Sequence, residues 1–253
     1  MRGLYNAAGA MLVNQFHLEN ISHNLANLHT PGYKRSEVVP STFPEILLYR
    51  QEKMAGREGK VRLQPVGRAA LNVAVEETPP VFLDGSLLQT GEQFDLALQG
   101  NGFFVLQTPE GLGYSREGRF RLNAEGVLVN AAGYPVLGEN GPLTLQDSAV
   151  RIDRDGNVFR GEERAGRLQL SDFAPEALFW KEGYNLFRAT ADAAPRRAEA
   201  VVWQGCLEES NTDLMRQMTT MLKVRRSYEA AQKISQVYDR LLSRAANELG
   251  SLG

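Results

Sequence analysis

The chain has 253 residues, a formal net charge of −2, 43% hydrophobic residues and 23% charged ones. That is long enough for one large domain or two small ones with a sizeable core. The charge balance excludes a global field that would recruit nucleic acid or an anionic membrane, and the single cysteine, Cys206, excludes an intrachain disulfide.

The first segment, from Met1 to about Asn27, reads as helix. It has no proline, and its only glycines are Gly3 and Gly9. On a heptad, Leu4, Met11, Leu18 and Leu25 fill one position, and Ala7, Asn14, Ile21 and Leu28 fill the other. Asn14 alone interrupts the apolar seam, and a buried Asn there fixes register at some cost in stability. Thr30-Pro31-Gly32 ends the helix near Asn27. The N-terminus does not read as a signal peptide, because Asn6, Asn14, Gln15, His17 and Glu19 interrupt any apolar stretch. No stretch approaches the roughly 18 apolar residues of a spanning helix. The expectation is a chain that stays in the cytoplasm or leaves it without a cleaved signal.

Residues 36–75 are rich in Arg, Lys, Gly and Pro and read as an extended or flexible connector. Residues 76–205 read as a β domain. Phe94 to Leu98 alternates, Phe103 to Leu106 is a short buried-type run, and Tyr114 to Leu122 and Gly126 to Val129 alternate again. Turn signals separate them, among them Gly100-Asn101-Gly102, Asn123 to Gly126 and Asp155-Gly156-Asn157.

The last segment, 206–253, reads as a second helix from about Glu208 to Leu249, with Ser210 or Asn211 as cap. Its seam is Leu214, Met221, Tyr228, Ser235 and Leu242, alternating with Gln217, Val224, Ala231, Tyr238 and Ala245. At 1.5 Å per residue it spans roughly 60 Å. The expected fold is therefore α+β: long N- and C-terminal helices pairing as a coiled coil, with a central antiparallel all-β domain. Periodicity gives a helical hairpin within one chain and pairing between chains about equal weight.

Candidate chemistry is sparse. His17, His23 and His29 are six apart, which turns successive rings about 240° around a helix. Metal pairs on helices want four, so no metal site is expected. With no histidine after His29, no nucleophile–base pair forms a hydrolase site. Gly100-Asn101-Gly102 lacks the third glycine of a dinucleotide fingerprint, since position 105 is Val105, and no cofactor is expected. Asp153 to Asn157 has the wrong spacing for a calcium loop and reads as a hairpin turn. The cations of 50–68 are diluted by Glu45, Glu52 and Glu58 and read as a solvated segment, not a nucleic-acid patch.

Ser22-His23-Asn24-Leu25-Ala26-Asn27-Leu28-His29-Thr30-Pro31-Gly32-Tyr33-Lys34-Arg35 resembles the N-terminal signature of the flagellar basal-body rod and hook family. That signature reads S-x-N-L-A-N-x-x-T-P-G-Y/F-K-R, and His23 stands where the family often has Asn. Gly100 to Phe104, Tyr114 to Phe120, Gly126 to Val129 and Gly133 to Gly138 resemble the family's β domain. Leu207 to Leu214 and Arg226 to Ala230 resemble its C-terminal helix. Length and Phe43-Pro44-Glu45-Ile46-Leu47-Leu48 are most like proximal or distal rod proteins.

The resemblance implies a non-enzymatic axial subunit of the rod, exported through the flagellar type III apparatus and polymerising helically with itself and neighbouring rod or hook proteins. It implies torque transmission and no direct membrane insertion. The assembly interface would be Leu4, Met11, Leu18, Ile21, Leu25, Leu28, Leu214, Met221, Val224, Tyr228, Tyr238 and Leu242. The signature turn would be Asn24, Asn27, Thr30, Pro31, Gly32 and Tyr33. The competing expectation is a cytoplasmic coiled-coil adaptor whose β domain binds a protein partner.

Overall fold

A computed structural model describes residues 2–42, 46–53, 61–69, 73–75, 79–145, 150–174, 179–190 and 193–250. Phe43, Pro44, Glu45 and Glu58 lie outside the described residues. The chain divides into two compact units, Met1–Ser22 with Val38–Thr78 and Met215–Gly253, and His23–Glu37 with Pro79–Leu214.

The first unit is built from two helices, α1 (Arg2–Ala26) and α2 (Leu214–Gly250), and two small antiparallel ladders. Ile46–Lys53 pairs with Val61–Ala69, with a register shift between Leu48 and Tyr49. Pro40–Thr42 pairs with Val73–Val75. Helix α1 stops where the sequence breaks it. Asn27 Nδ2 donates to the His23 carbonyl at 2.9 Å, and Thr30 N donates to the Asn27 carbonyl at 3.2 Å. These bonds secure the chain as it leaves the helix end.

The expected coiled coil is not formed. Inside this unit the helices meet at separate points. Asn14 Nδ2 donates to Ser227 Oγ at 3.1 Å, and Gly3 lies so close to the Tyr238 ring that a Cβ would meet its hydroxyl at 2.1 Å. The α2 seam is not covered along its length: Leu242 is 44% exposed and Tyr238 36%. Two causes are visible. Helix α2 has 37 residues against 25 in α1, and its seam is interrupted by Gln217 and Ser235. Each polar residue at a seam position weakens knobs-into-holes packing.

The β-rich unit also differs from a single antiparallel domain. Its largest sheet runs Phe179–Gly183, Leu186–Ala189, Gly111–Ser115, Phe103–Thr108, Leu170–Asp172, Arg196–Arg197, with every neighbouring pair antiparallel. Beside it stand a three-stranded sheet over 150–167 and four two-stranded ladders among the described residues. Frequent turns keep the strands short, so the chain changes partner often. Leu96–Gln99, for example, pairs with Val201–Gln204.

Phe103 to Leu106 shows why this unit has two cores. Side chains alternate across a strand. Phe104 and Leu106 enter a cluster with Leu96, Leu98, Leu128 and Val158, whereas Phe103 and Val105 enter another with Phe173 and Phe187. Phe82 meets Phe103, Phe179 and Phe187 edge-on at 5.1–5.2 Å. Such pairs add to the burial of the rings. The Asp155-Gly156 turn is a hairpin. Asp153 Oδ1 accepts the Asp155 and Asn157 amides at 3.0 and 2.8 Å, and Gly156 takes φ 79°.

Candidate assembly site

The signature residues form a tightly bonded turn inside the β-rich unit. Asn24 is 1% exposed. Its Oδ1 accepts Tyr33 Oη and Ser36 N, both at 3.1 Å, and its Nδ2 donates to the Ser36 carbonyl at 2.9 Å. One side chain thereby closes the loop that follows α1. Thr30 Oγ1 donates to Asn27 Oδ1 at 3.1 Å. Asn185 Nδ2 donates to the Pro31 carbonyl at 2.9 Å.

Gly32 takes φ 66°, and a Cβ on it would lie 2.2 Å from the Arg116 carbonyl oxygen. Only glycine combines that conformation with that approach. Its amide donates to the Glu208 carbonyl at 2.7 Å.

Lys34, Arg116 and Glu208 are all buried, at 0–2% exposure. Lys34 Nζ donates to Glu208 Oε1 and, at 2.6 Å, to the Leu83 carbonyl. Arg116 Nη1 reaches Glu208 Oε2 at 3.4 Å and Asp84 Oδ1 at 3.5 Å, and its Nη2 donates to the Gly100 carbonyl at 2.7 Å. Burial pulls the Lys34 ammonium below its usual range, and the Glu208 carboxylate opposes that pull.

Lys181 adds a further cation. Its ammonium donates to the Lys34 carbonyl at 2.6 Å and sits 4.1 Å from the Tyr33 ring centre. Although the residue as a whole is exposed, burial lowers its pKa to about 8. Burial raises the Tyr33 phenol.

Asn211 ties the C-terminal side to the same turn. Its Oδ1 accepts Arg35 N at 2.8 Å, and its Nδ2 donates to the Val81 carbonyl at 2.7 Å. This is why α2 starts at Leu214 and not near Glu208. Cys206–Glu208 is a strand paired with Leu87–Gln89, and Asn211 is engaged away from any helix cap.

Residues 97–160 match the family described as "Flagellar hook protein FlgE/F/G D1 domain", and residues 204–249 match "Flagellar basal body rod FlgEFG protein C-terminal". A flagellar basal-body rod protein FlgF of Caulobacter vibrioides is 32% identical over 253 residues, covering 98% of each chain. The chain belongs to the flagellar basal-body rod protein family. A rod protein FlgG of Agrobacterium fabrum is 34% identical, covering 98% of this chain and all of that one. A flagellar hook-basal body complex protein FlhO of Bacillus subtilis is 31% identical over the full length of both.

The residues expected from this rod-family resemblance fall into different environments. Asn24, Asn27, Thr30, Pro31, Gly32 and Tyr33 come together in the turn just described. On α1, Ile21 is buried, and Leu4, Met11 and Leu18 are half-buried, as are Leu25 and, just beyond the helix, Leu28. On α2, Met221, Val224 and Tyr228 are half-buried, whereas Leu214, Tyr238 and Leu242 are exposed.

A second apolar stripe was not expected. Tyr5, Leu12 and Phe16 on α1 are exposed, as are Met215, Met218, Leu222, Ile234, Val237 and Leu241 on α2. The spacing of three and four along α2 was the available signal. Sequence reasoning also missed the roles of Lys34, Arg116, Glu208 and Lys181. Charged residues inside turn motifs, away from any helix face, were the clue.

Proposed function

We propose that this rod-family chain is a structural, non-catalytic subunit of the flagellar rod that assembles with further copies and with neighbouring rod and hook components. The observation that carries this reading is the exposed apolar stripe on each helix. Met215 is 73% exposed, Tyr5 67% and Leu222 61%. Large apolar side chains repeated along a helix face mark a surface that another protein covers. The names of the relatives supply what that protein is: another element of a basal body. The adaptor alternative has no such support.

The interface in this proposal has two parts. Tyr5, Leu12, Phe16, Met215, Met218 and Leu222 meet neighbouring subunits directly, joined by the exposed Leu214, Tyr238 and Leu242. Leu4, Met11, Leu18, Ile21, Leu25, Leu28, Met221, Val224 and Tyr228 hold the helices in the shape that presents that face. The subunit leaves the cytoplasm through the flagellar type III apparatus without a cleaved signal, acts outside the cytoplasm, and passes torque along the rod.

The test is incorporation. A strain whose only copy carries Leu12→Glu and Phe16→Glu should express the chain and fail to retain it in purified basal bodies, with motility lost. Retention of that variant at the ordinary level, with normal swimming, overturns the reading.

A further inference from the structure

The signature turn and the strand that leads into α2 share one buried charge cluster, and the cluster is unbalanced without Glu208. Glu208 contacts three separate stretches of chain. Its carboxylate meets Lys34, Arg116 and the Gly85 amide, the last at 2.9 Å, and its carbonyl accepts the Gly32 amide. Lys34 and Arg116 have side chains 1% and 2% exposed. The other carboxylate within reach, Asp84, is 49% exposed and lies 3.5 Å from Arg116. Arg116 Nε is buried with no hydrogen-bond partner among the described residues. Two buried cations thus rest chiefly on one buried anion.

We infer that Glu208 works as an all-or-none clasp, so that residues 27–36 and 206–212 dock together or not at all. A buried charge left without its partner costs far more than the pair itself contributes. If the 206–212 segment lifts away, Lys34 and Arg116 lose their main counter-ion, and the turn cannot stay docked around them. If the turn lifts away, Glu208 loses the Lys34 ammonium and the Gly32 amide and, of its two cations, keeps only Arg116. Neither half-docked state is stable. Backbone bonds point the same way: Asn211 N donates to the Tyr33 carbonyl at 3.4 Å, and Arg35 N donates to Asn211 Oδ1. Neither core cluster includes these residues, so the clasp opens with the short Cys206–Glu208 and Leu87–Gln89 ladder and leaves the larger sheets folded. The segments that root the two terminal helices therefore order in one step, gated by a residue close to the C-terminal end of the β-rich unit.

The experiment is amide hydrogen exchange on the purified full chain, read residue by residue, for wild type, Glu208→Gln, Lys34→Met and the double variant. Glutamine keeps the shape and the acceptor for Gly85 but removes the charge. Glu208→Gln should cost the amides of Gly32, Arg35 and Asn211 at least tenfold in protection, all together. Amides in Leu96–Gln99 and Phe103–Thr108 should keep theirs. Lys34→Met should cost less than Glu208→Gln, because Arg116 still balances Glu208. The double variant should regain part of the loss, since only the Arg116 guanidinium, with Asp84 still in reach, is then left without Glu208. Loss confined to one of the two segments overturns the inference. So does equal loss in the core strands, including failure to fold. A double variant no better protected than Glu208→Gln overturns it as well.

Discussion

Lys34 and Glu208 lie 174 residues apart in the chain and meet as an ion pair with each side chain 1% exposed. The pair joins the turn after α1 to the strand before α2. It makes the turn part of the β-rich unit and not a hinge of free chain.

Gly32→Ala should destabilise this unit by roughly 2 kcal/mol or more. A left-handed residue with a Cβ costs about 1–2 kcal/mol. Here the Cβ also meets backbone, the Arg116 carbonyl oxygen at 2.2 Å, which has no side-chain freedom to yield. Urea denaturation followed by tryptophan fluorescence, with Trp180 and Trp203 both in this unit, measures it. A change under 0.5 kcal/mol would contradict the geometry.

Asn24→Ala should cost more than Tyr33→Phe. The alanine leaves the Ser36 amide and carbonyl and the Tyr33 hydroxyl without their partner, a loss of about 2–4 kcal/mol. The phenylalanine removes one hydroxyl bond, worth about 1 kcal/mol. The ranking of the two urea midpoints is the check.

Stability of the β-rich unit should rise as pH is raised from 7 towards 10. Lys181 titrates at about 8 in the folded chain and near the usual lysine value of 10.5 when unfolded, so the unfolded chain binds more protons across that window. Lys34, also lowered, acts in the same direction. Above about 10 the sign reverses. The Tyr33 and Tyr114 phenols are raised by burial, so ionisation favours the unfolded chain. Urea midpoints at pH 7, 8, 9 and 10 should climb, and Lys181→Met should flatten most of the climb. A flat wild-type profile would refute the assignment.

Leu12→Glu with Phe16→Glu should leave the unfolding free energy of the isolated subunit within about 0.5 kcal/mol of wild type, as for other exposed substitutions. Phe103→Ala should cost about 3–5 kcal/mol, because its ring packs against Phe82, Phe173, Phe179 and Phe187. The contrast separates a surface that faces a partner from one that faces the core. It is read in the same denaturation experiment.

Local chemistry settled much of this protein in advance. Thr30-Pro31-Gly32 ends α1 because proline and a left-handed glycine act on the residues beside them. Phe103 to Leu106 announces a strand buried on both faces because strand periodicity is local. Asp155-Gly156 announces a hairpin for the same reason, and the motif of residues 22–35 carries the family. Contacts between distant residues decided the rest. Burial of Lys34 depends on Glu208, and the start of α2 depends on Cys206–Glu208 finding Leu87–Gln89. Periodicity showed that each helix has an apolar face, but not which face would be covered, since both helices carry apolar residues on a second face as well. A heptad states what a helix can pack against; the neighbours that the fold brings to it determine whether that packing forms.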